Sequence, residues 1–89
     1  MPQIQRVGDV NTAGAPIIST LQTTVFVNNK LVSVNGSYVQ GHGVASHSSP
    51  ITSGGSPNVY ISNIPVNRTG DADSCGHLRV GGSPDVFVN

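Results

Sequence analysis

The fold is decided by "GGSPNVYIS" (Gly54–Ser62) and "GGSPDVFVN" (Gly81–Asn89), two segments that match almost position for position. Each carries a β-branched–aromatic–β-branched triplet after a Gly-Gly-Ser-Pro turn, and such residues favour a short strand. A third cluster, "TVFVNN" (Thr24–Asn29), has the same triplet. No segment shows the i, i+3, i+4, i+7 apolar spacing of an amphipathic helix. The sequence therefore predicts a small all-β protein.

The three clusters belong to a longer repeat that includes a glycine turn. "RTGD" (Arg68–Asp71) recurs as "RVGD" (Arg6–Asp9) and, more weakly, as "VNGS" (Val34–Ser37). The shared glycine suggests a turn that needs a positive φ angle. The spans Val25–Gly36 and Val59–Gly70 both cover eleven steps, so strand and turn repeat as one unit.

The third repeat is divided between the two ends of the chain. On the common frame, Asn89 aligns with Ser62, and Met1 follows in alignment with Asn63 without a gap. We therefore expect one domain, residues 1–89, built from three short β repeats. The chain ends should be adjacent in space, and the fold should have a pseudo-threefold axis.

The composition of this 89-residue chain limits how it is stabilised and what it binds. A domain of this size has a modest core and often needs a disulfide or a metal, and a single cysteine excludes an internal disulfide. Four basic and four acidic residues argue against nucleic acid and against a polybasic membrane anchor. The sequence predicts no transmembrane segment and no classical signal peptide.

Four side chains make up the whole inventory of soft metal ligands: His42, His47, Cys75 and His77. They lie in two short pieces that both follow the repeated glycine turn, and equivalent loops converge at one end of a threefold fold. Three imidazoles and one thiolate suit tetrahedral zinc better than iron. Closure by four protein ligands would make one structural zinc per chain, near the apex, with no catalytic residues.

The first copy of this loop has alanines where the third has ligands. Ala13 and Ala15 stand where Cys75 and His77 stand, so we expect the first loop to contribute packing only.

A zinc-dependent enzyme such as a hydrolase, with an exchangeable ligand, is the alternative function. A Cys–His nucleophile pair would need an orienting acid, and Asp71 and Asp73 are available. A zinc-stabilised nucleic-acid module is disfavoured by the low charge.

The motifs together resemble those of the PAAR-repeat family over essentially the whole chain. "PVNRTGD" (Pro65–Asp71) is similar to the Pro-Ala-Ala-Arg segment with its Gly-Asp turn. The strands "SPNVYIS" and "SPDVFVN" resemble the family's repeated strand, and "GHG" and "SCGH" resemble its ligand loops. The sequence departs from the family pattern at "LVSV" (Leu31–Val34), which lacks the proline and the arginine.

The resemblance implies a small conical β fold that serves as a structural tip, with a zinc ion at its sharp end. Such a tip is a monomer that caps one trimeric β-helical spike of a contractile machine and transiently meets the target cell membrane. No nucleic acid is expected as a partner. The short form, without a fused toxin, and the Asn/Ser-rich, charge-poor composition favour a phage tail over type VI secretion. The expected location is the virion tail tip, or the cytoplasm followed by export through the machine.

Overall fold

The computed structural model describes residues 2–89, at Ser46 for the backbone only, and Met1 with its predicted alignment lies outside the described residues. Among residues 2–89 there is no α-helix, which confirms the all-β prediction. One 3-10 turn covers Ala45–His47. The six strands are β1 (Ile17–Ser19), β2 (Phe26–Val27), β3 (Lys30–Leu31), β4 (Tyr38–Val39), β5 (Tyr60–Ile61) and β6 (Ile64–Pro65).

Two of the repeated clusters form the same tight hairpin. Strand β2 pairs with β3, and β5 with β6, both antiparallel and through two-residue turns. The turn residues have φ angles of 53° and 65° at Asn28 and Asn29, and again 53° and 65° at Ser62 and Asn63. Positive φ at both central positions is the turn geometry that matches the twist of a two-stranded ribbon. The sequence repeat is therefore a repeat of backbone conformation.

The third repeat has the equivalent pairing as an isolated bridge between the two ends of the chain. Gln3 bridges Phe87 in antiparallel fashion, in the register that β3 and β6 adopt against β2 and β5. The backbone N–H of Val88 donates to the carbonyl of Pro2 at 2.9 Å. The first described residues and the last ones therefore lie side by side.

The conformation of the Gly-Gly-Ser-Pro turns explains why the motif contains a serine and a second glycine. The Oγ of Ser56 accepts hydrogen bonds from the backbone N–H groups of the residues two and three positions further on, and the Oγ of Ser83 does the same. These bonds bend the chain into the strand. A Cβ on Gly55 would lie 2.7 Å from the Cβ of Pro65, and one on Gly82 would lie 2.9 Å from the carbonyl oxygen of Ile4. The second glycine therefore lets the turn pack closely against the second half of its own repeat.

The repeats meet in a core with threefold character. The buried Ile4, Val32 and Val66 occupy equivalent positions and pack together with Val34. The next residues close a ring of backbone hydrogen bonds, from Gln5 to Asn67, from Asn67 to Ser33 and from Ser33 to Gln5, at 3.0, 2.9 and 2.9 Å. A closed ring of this kind requires the three strands to surround a common axis.

The loops beyond the glycine turns form a second layer with the same arrangement. Each loop donates one backbone N–H to the next: Thr12 to Leu78, Gln40 to Pro16 and Ser74 to Ile51, at 3.0, 2.9 and 2.7 Å. The molecule extends 32 × 24 × 21 Å along its principal axes. Within residues 2–89, no helix has the length and apolar character needed to cross a bilayer.

Candidate metal centre

The Cys75–His77 segment is a tight turn held by backbone hydrogen bonds. The N–H of Asp73 donates to the carbonyl of His77 at 2.7 Å, and the N–H of Gly76 donates to that of Asp73 at 2.9 Å. Gly76 has a φ angle of 94°, a conformation that favours glycine. The turn thus presents a thiol and an imidazole from positions two residues apart.

The first loop adopts the same turn without the ligands. The N–H of Asn11 donates to the carbonyl of Ala15 at 3.1 Å, and the N–H of Gly14 to that of Asn11 at 2.9 Å. Ala13 and Ala15 therefore take the places of the thiol and the imidazole. The backbone conformation needs neither ligand.

The second loop is longer, and its extra residues form the other half of the group. The 3-10 turn at Ala45–His47 reverses the chain, and the N–H of His42 donates to the carbonyl of His47 at 2.8 Å. This bond brings the two histidines to the same side of the loop. Both side chains are half-buried.

The structure brings together all four residues that the sequence predicted as ligands. One ligand atom from each of His42, His47, Cys75 and His77 lies within 4.8 Å of every other. The Nε2 of His42 lies 3.7 Å from the Sγ of Cys75 and 3.1 Å from the Nδ1 of His47. The three imidazole centroids are 5.0, 5.1 and 5.1 Å apart.

Two of the donor separations are close to those around a four-coordinate metal ion. Zinc–nitrogen bonds of about 2.0–2.1 Å and a zinc–sulfur bond of about 2.3 Å place tetrahedral donor atoms about 3.3–3.6 Å apart. The measured separations of 3.1 and 3.7 Å need adjustments of a few tenths of an ångström. The cluster is therefore able to hold a metal ion.

The first loop contributes more than packing, and the expectation from its sequence is wrong in this respect. The Oγ1 of Thr12 lies 3.0 Å from the Nδ1 of His77. The Nδ1 of His42 has its own partner, the carbonyl of Gln40, at 3.1 Å. Sequence analysis missed Thr12 because its contact joins positions 65 residues apart.

A buried ion pair lies next to the cluster, and the sequence did not indicate it. Arg79 Nη2 lies 3.0 Å from Asp73 Oδ2, and neither side chain has accessible surface. Arg79 also donates to the carbonyls of Asp9 and Ala15, and Asn11 donates to the same Asp73 oxygen at 2.8 Å. The pair therefore ties the Cys75–His77 loop to the first loop.

Burial lowers the pKa of Arg79, while the neighbouring Asp73 carboxylate acts in the opposite direction. A guanidinium keeps its proton in proteins, so the Arg79 side chain stays charged. Asp71, for its part, binds Arg68 at 2.8 Å. Both acids suggested for a Cys–His nucleophile pair thus have arginine partners, and the Nδ1 of His77 faces Thr12 instead. The arrangement suits metal binding better than nucleophilic catalysis.

The protein is therefore small and all-β, with three β repeats around one axis. Three imidazoles and a thiol from two of its loops form a cluster that is able to bind a metal. The sequence profile of the PAAR motif matches residues 7–77, more than half of the chain. The chain therefore belongs to the PAAR motif family, as its motifs predicted. No curated protein shows a significant match to it. Family membership supports a structural role at the spike tip of contractile injection systems.

Proposed function

We propose that this protein is the structural tip that caps a trimeric β-helical spike, with one copy per trimer. The observation that carries the proposal is the set of three equivalent strand pairs around a common core. A trimer presents the same surface three times. A monomer whose own surface nearly repeats three times can meet each spike chain with almost the same contacts.

The strand pairs have the chemistry of an incomplete interface. The equivalent residues Val27, Ile61 and Val88 pack against the buried core, yet each stays only partly buried. The strand pairs also have backbone edges, and an open edge readily accepts another strand. A β-helical trimer that covered these three apolar side chains and the open backbone edges would complete the core of the tip. The tip would in turn cover the end of the spike.

The aromatic residues at the centre of the repeats extend the threefold pattern to the surface. Phe26, Tyr60 and Phe87 occupy equivalent positions, and their exposed fractions are 58%, 53% and 46%. Aromatic side chains are enriched at protein interfaces, where they bury a large area with few rotatable bonds. Their threefold placement supports a threefold partner.

The metal in this proposal is zinc, held by His42, His47, Cys75 and His77. Soft thiolate and imidazole donors at tetrahedral separations favour zinc over iron. Zinc bound by four protein ligands has a structural role, because no coordination position is left for a substrate. It would join the second and third loops into a rigid tip that meets the target membrane transiently as a phage tail or type VI apparatus contracts.

Co-purification with a trimeric β-helical spike fragment encoded near the gene of this protein tests the capping role. Native mass spectrometry is expected to give a complex of one tip and three spike chains. Ile61→Asp should abolish the complex, because it places a charge in the proposed contact. Val44→Asp is the matched control, since Val44 is 82% exposed in the long metal loop. Failure of the wild-type protein to bind any spike trimer would overturn the proposal.

A further inference from the structure

The first loop carries no ligand, yet it places one hydroxyl against the ligand group. Thr12 Oγ1 lies 3.0 Å from the Nδ1 of His77, which leaves Nε2 as the nitrogen of this imidazole available to a metal. A neutral imidazole that binds a metal through Nε2 carries its proton on Nδ1. In that tautomer, the Nδ1–H of His77 donates to the hydroxyl of Thr12.

The three imidazoles differ in what holds them. The Nδ1 of His42 lies 3.1 Å from the carbonyl oxygen of Gln40, a backbone partner on its own loop. The Nδ1 of His47 points to the ligand group, 3.1 Å from the Nε2 of His42. Thr12 is thus a side-chain partner of the His77 Nδ1, the ring nitrogen that is not left for the metal. A point substitution at Thr12 can remove this hydroxyl.

Other contacts between the first and third loops hold Thr12 in place. Its backbone N–H donates to the carbonyl of Leu78, the residue after His77, at 3.0 Å. The side chain of Asn11 accepts the N–H groups of Ala13 and Ala15 and donates to Asp73. These contacts involve none of the four ligand atoms, so they can position the hydroxyl before a metal arrives.

We propose that Thr12 is a positioning residue for the metal, holding the tautomer and the ring orientation of His77 from a loop that has no ligand of its own. The inference rests on the proposed zinc site. Hydrogen bonds to the outer nitrogen of a ligating histidine commonly set metal affinity, and their loss costs about 10–100-fold. The first loop thereby takes part in the metal centre although it has no ligand of its own.

Metal titration of the full chain tests the inference. Zinc affinity is measured by competition with a chromophoric chelator, and cobalt(II) is used as a spectroscopic probe of geometry. Thr12→Val should weaken zinc binding by about 10–100-fold and alter the visible cobalt spectrum. Thr12→Ser should restore both, because it keeps the hydroxyl. The melting temperature of the metal-free protein should be the same for both variants.

A threonine elsewhere supplies the matched control. Thr23 is exposed in the turn that precedes the first hairpin, so Thr23→Val should bind zinc like the wild type. Wild-type affinity and an unchanged cobalt spectrum in Thr12→Val would overturn the role of Thr12 while the zinc site stands. Equal losses in Thr12→Val and Thr12→Ser would overturn it too. A wild-type protein that binds neither metal would instead overturn the zinc site itself.

Discussion

Gln3 and Phe87 are 84 positions apart in the sequence, yet they pair as neighbours in an antiparallel bridge. The pair takes the register of the two continuous hairpins, with Asn89 at the position of the first turn residue. The segments that contain Gln3 and Phe87 therefore pair as the strands of the two hairpins do. The backbone ring at Gln5, Ser33 and Asn67 joins this pairing to the other two repeats.

Joining the ends should stabilise the 89-residue chain. Backbone cyclisation of a Met1→Gly variant would create an Asn-Gly turn between Asn89 and position 1, the residues that this turn type prefers. We expect a gain in the free energy of unfolding of about 2–4 kcal/mol, because the closure restricts the unfolded chain. Urea unfolding of the cyclic and the linear Met1→Gly proteins measures the difference. Equal midpoints would show that the ends do not meet as a hairpin.

Removal of a ligand should release the metal and destabilise the fold. Cys75→Ser or His77→Ala should each lose stoichiometric zinc and lower the free energy of unfolding by several kcal/mol, because metal binding contributes directly to folding in such sites. His42→Ala and His47→Ala should act alike. Metal analysis and thermal melting provide the measurements.

Ala13→Ser is the matched control for the ligand variants, since Ala13 occupies the turn position equivalent to Cys75 and is exposed. It should keep both zinc content and melting temperature. An unchanged melting temperature in both Cys75→Ser and His77→Ala would rule out a structural metal at this site.

Removing one partner of the buried Arg79–Asp73 ion pair should lower the free energy of unfolding strongly. Arg79→Met leaves the Asp73 carboxylate buried without its partner, and such changes cost about 3–5 kcal/mol. Arg68→Met breaks a pair whose arginine is partly exposed, so it should cost no more than about 1 kcal/mol. Urea unfolding compares the two. Similar losses in both variants would mean that the burial of Arg79 has no special effect.

Stability should depend on the ionisation of Asp85. Hydrogen bonds from Asn28 and then Ser83 lower the pKa of this carboxyl below its usual 3.8. Its contribution is therefore complete above the pKa of the unfolded chain and is lost as the pH falls through the lower folded value. The stability advantage of the wild type over Asp85→Asn should be present at pH 6 and shrink below about pH 4. A difference in urea midpoints that does not vary with pH would contradict this.

Much of the fold could be predicted because the repeat is local. The β-branched–aromatic–β-branched triplets and the Gly-Gly-Ser-Pro motif each act within a few residues, and they reappear as strand pairings and turns in the structure. The four residues that could hold a metal ion were also predicted from the sequence, because the chain has few histidines and cysteines and they fall in repeat-equivalent loops.

Other features depend on contacts between distant segments and left no signal in the sequence. Thr12 reaches His77, and Asn11 reaches Asp73, only because the first and third loops are neighbours around the axis. Arg79 is one of four basic residues, and nothing in its local sequence indicates that it is more deeply buried than Arg68. Its burial follows from the packing of the two loops.

The sequence by itself determined the three strand clusters, the glycine turns, the three-repeat frame and the set of possible ligands, because these follow from local backbone preferences and from composition. Only the tertiary structure decided which loops meet. The backbone ring that closes the threefold core sets the spacing of the loops. That spacing brings four ligand atoms within 4.8 Å, places Thr12 on His77 and buries Arg79 against Asp73.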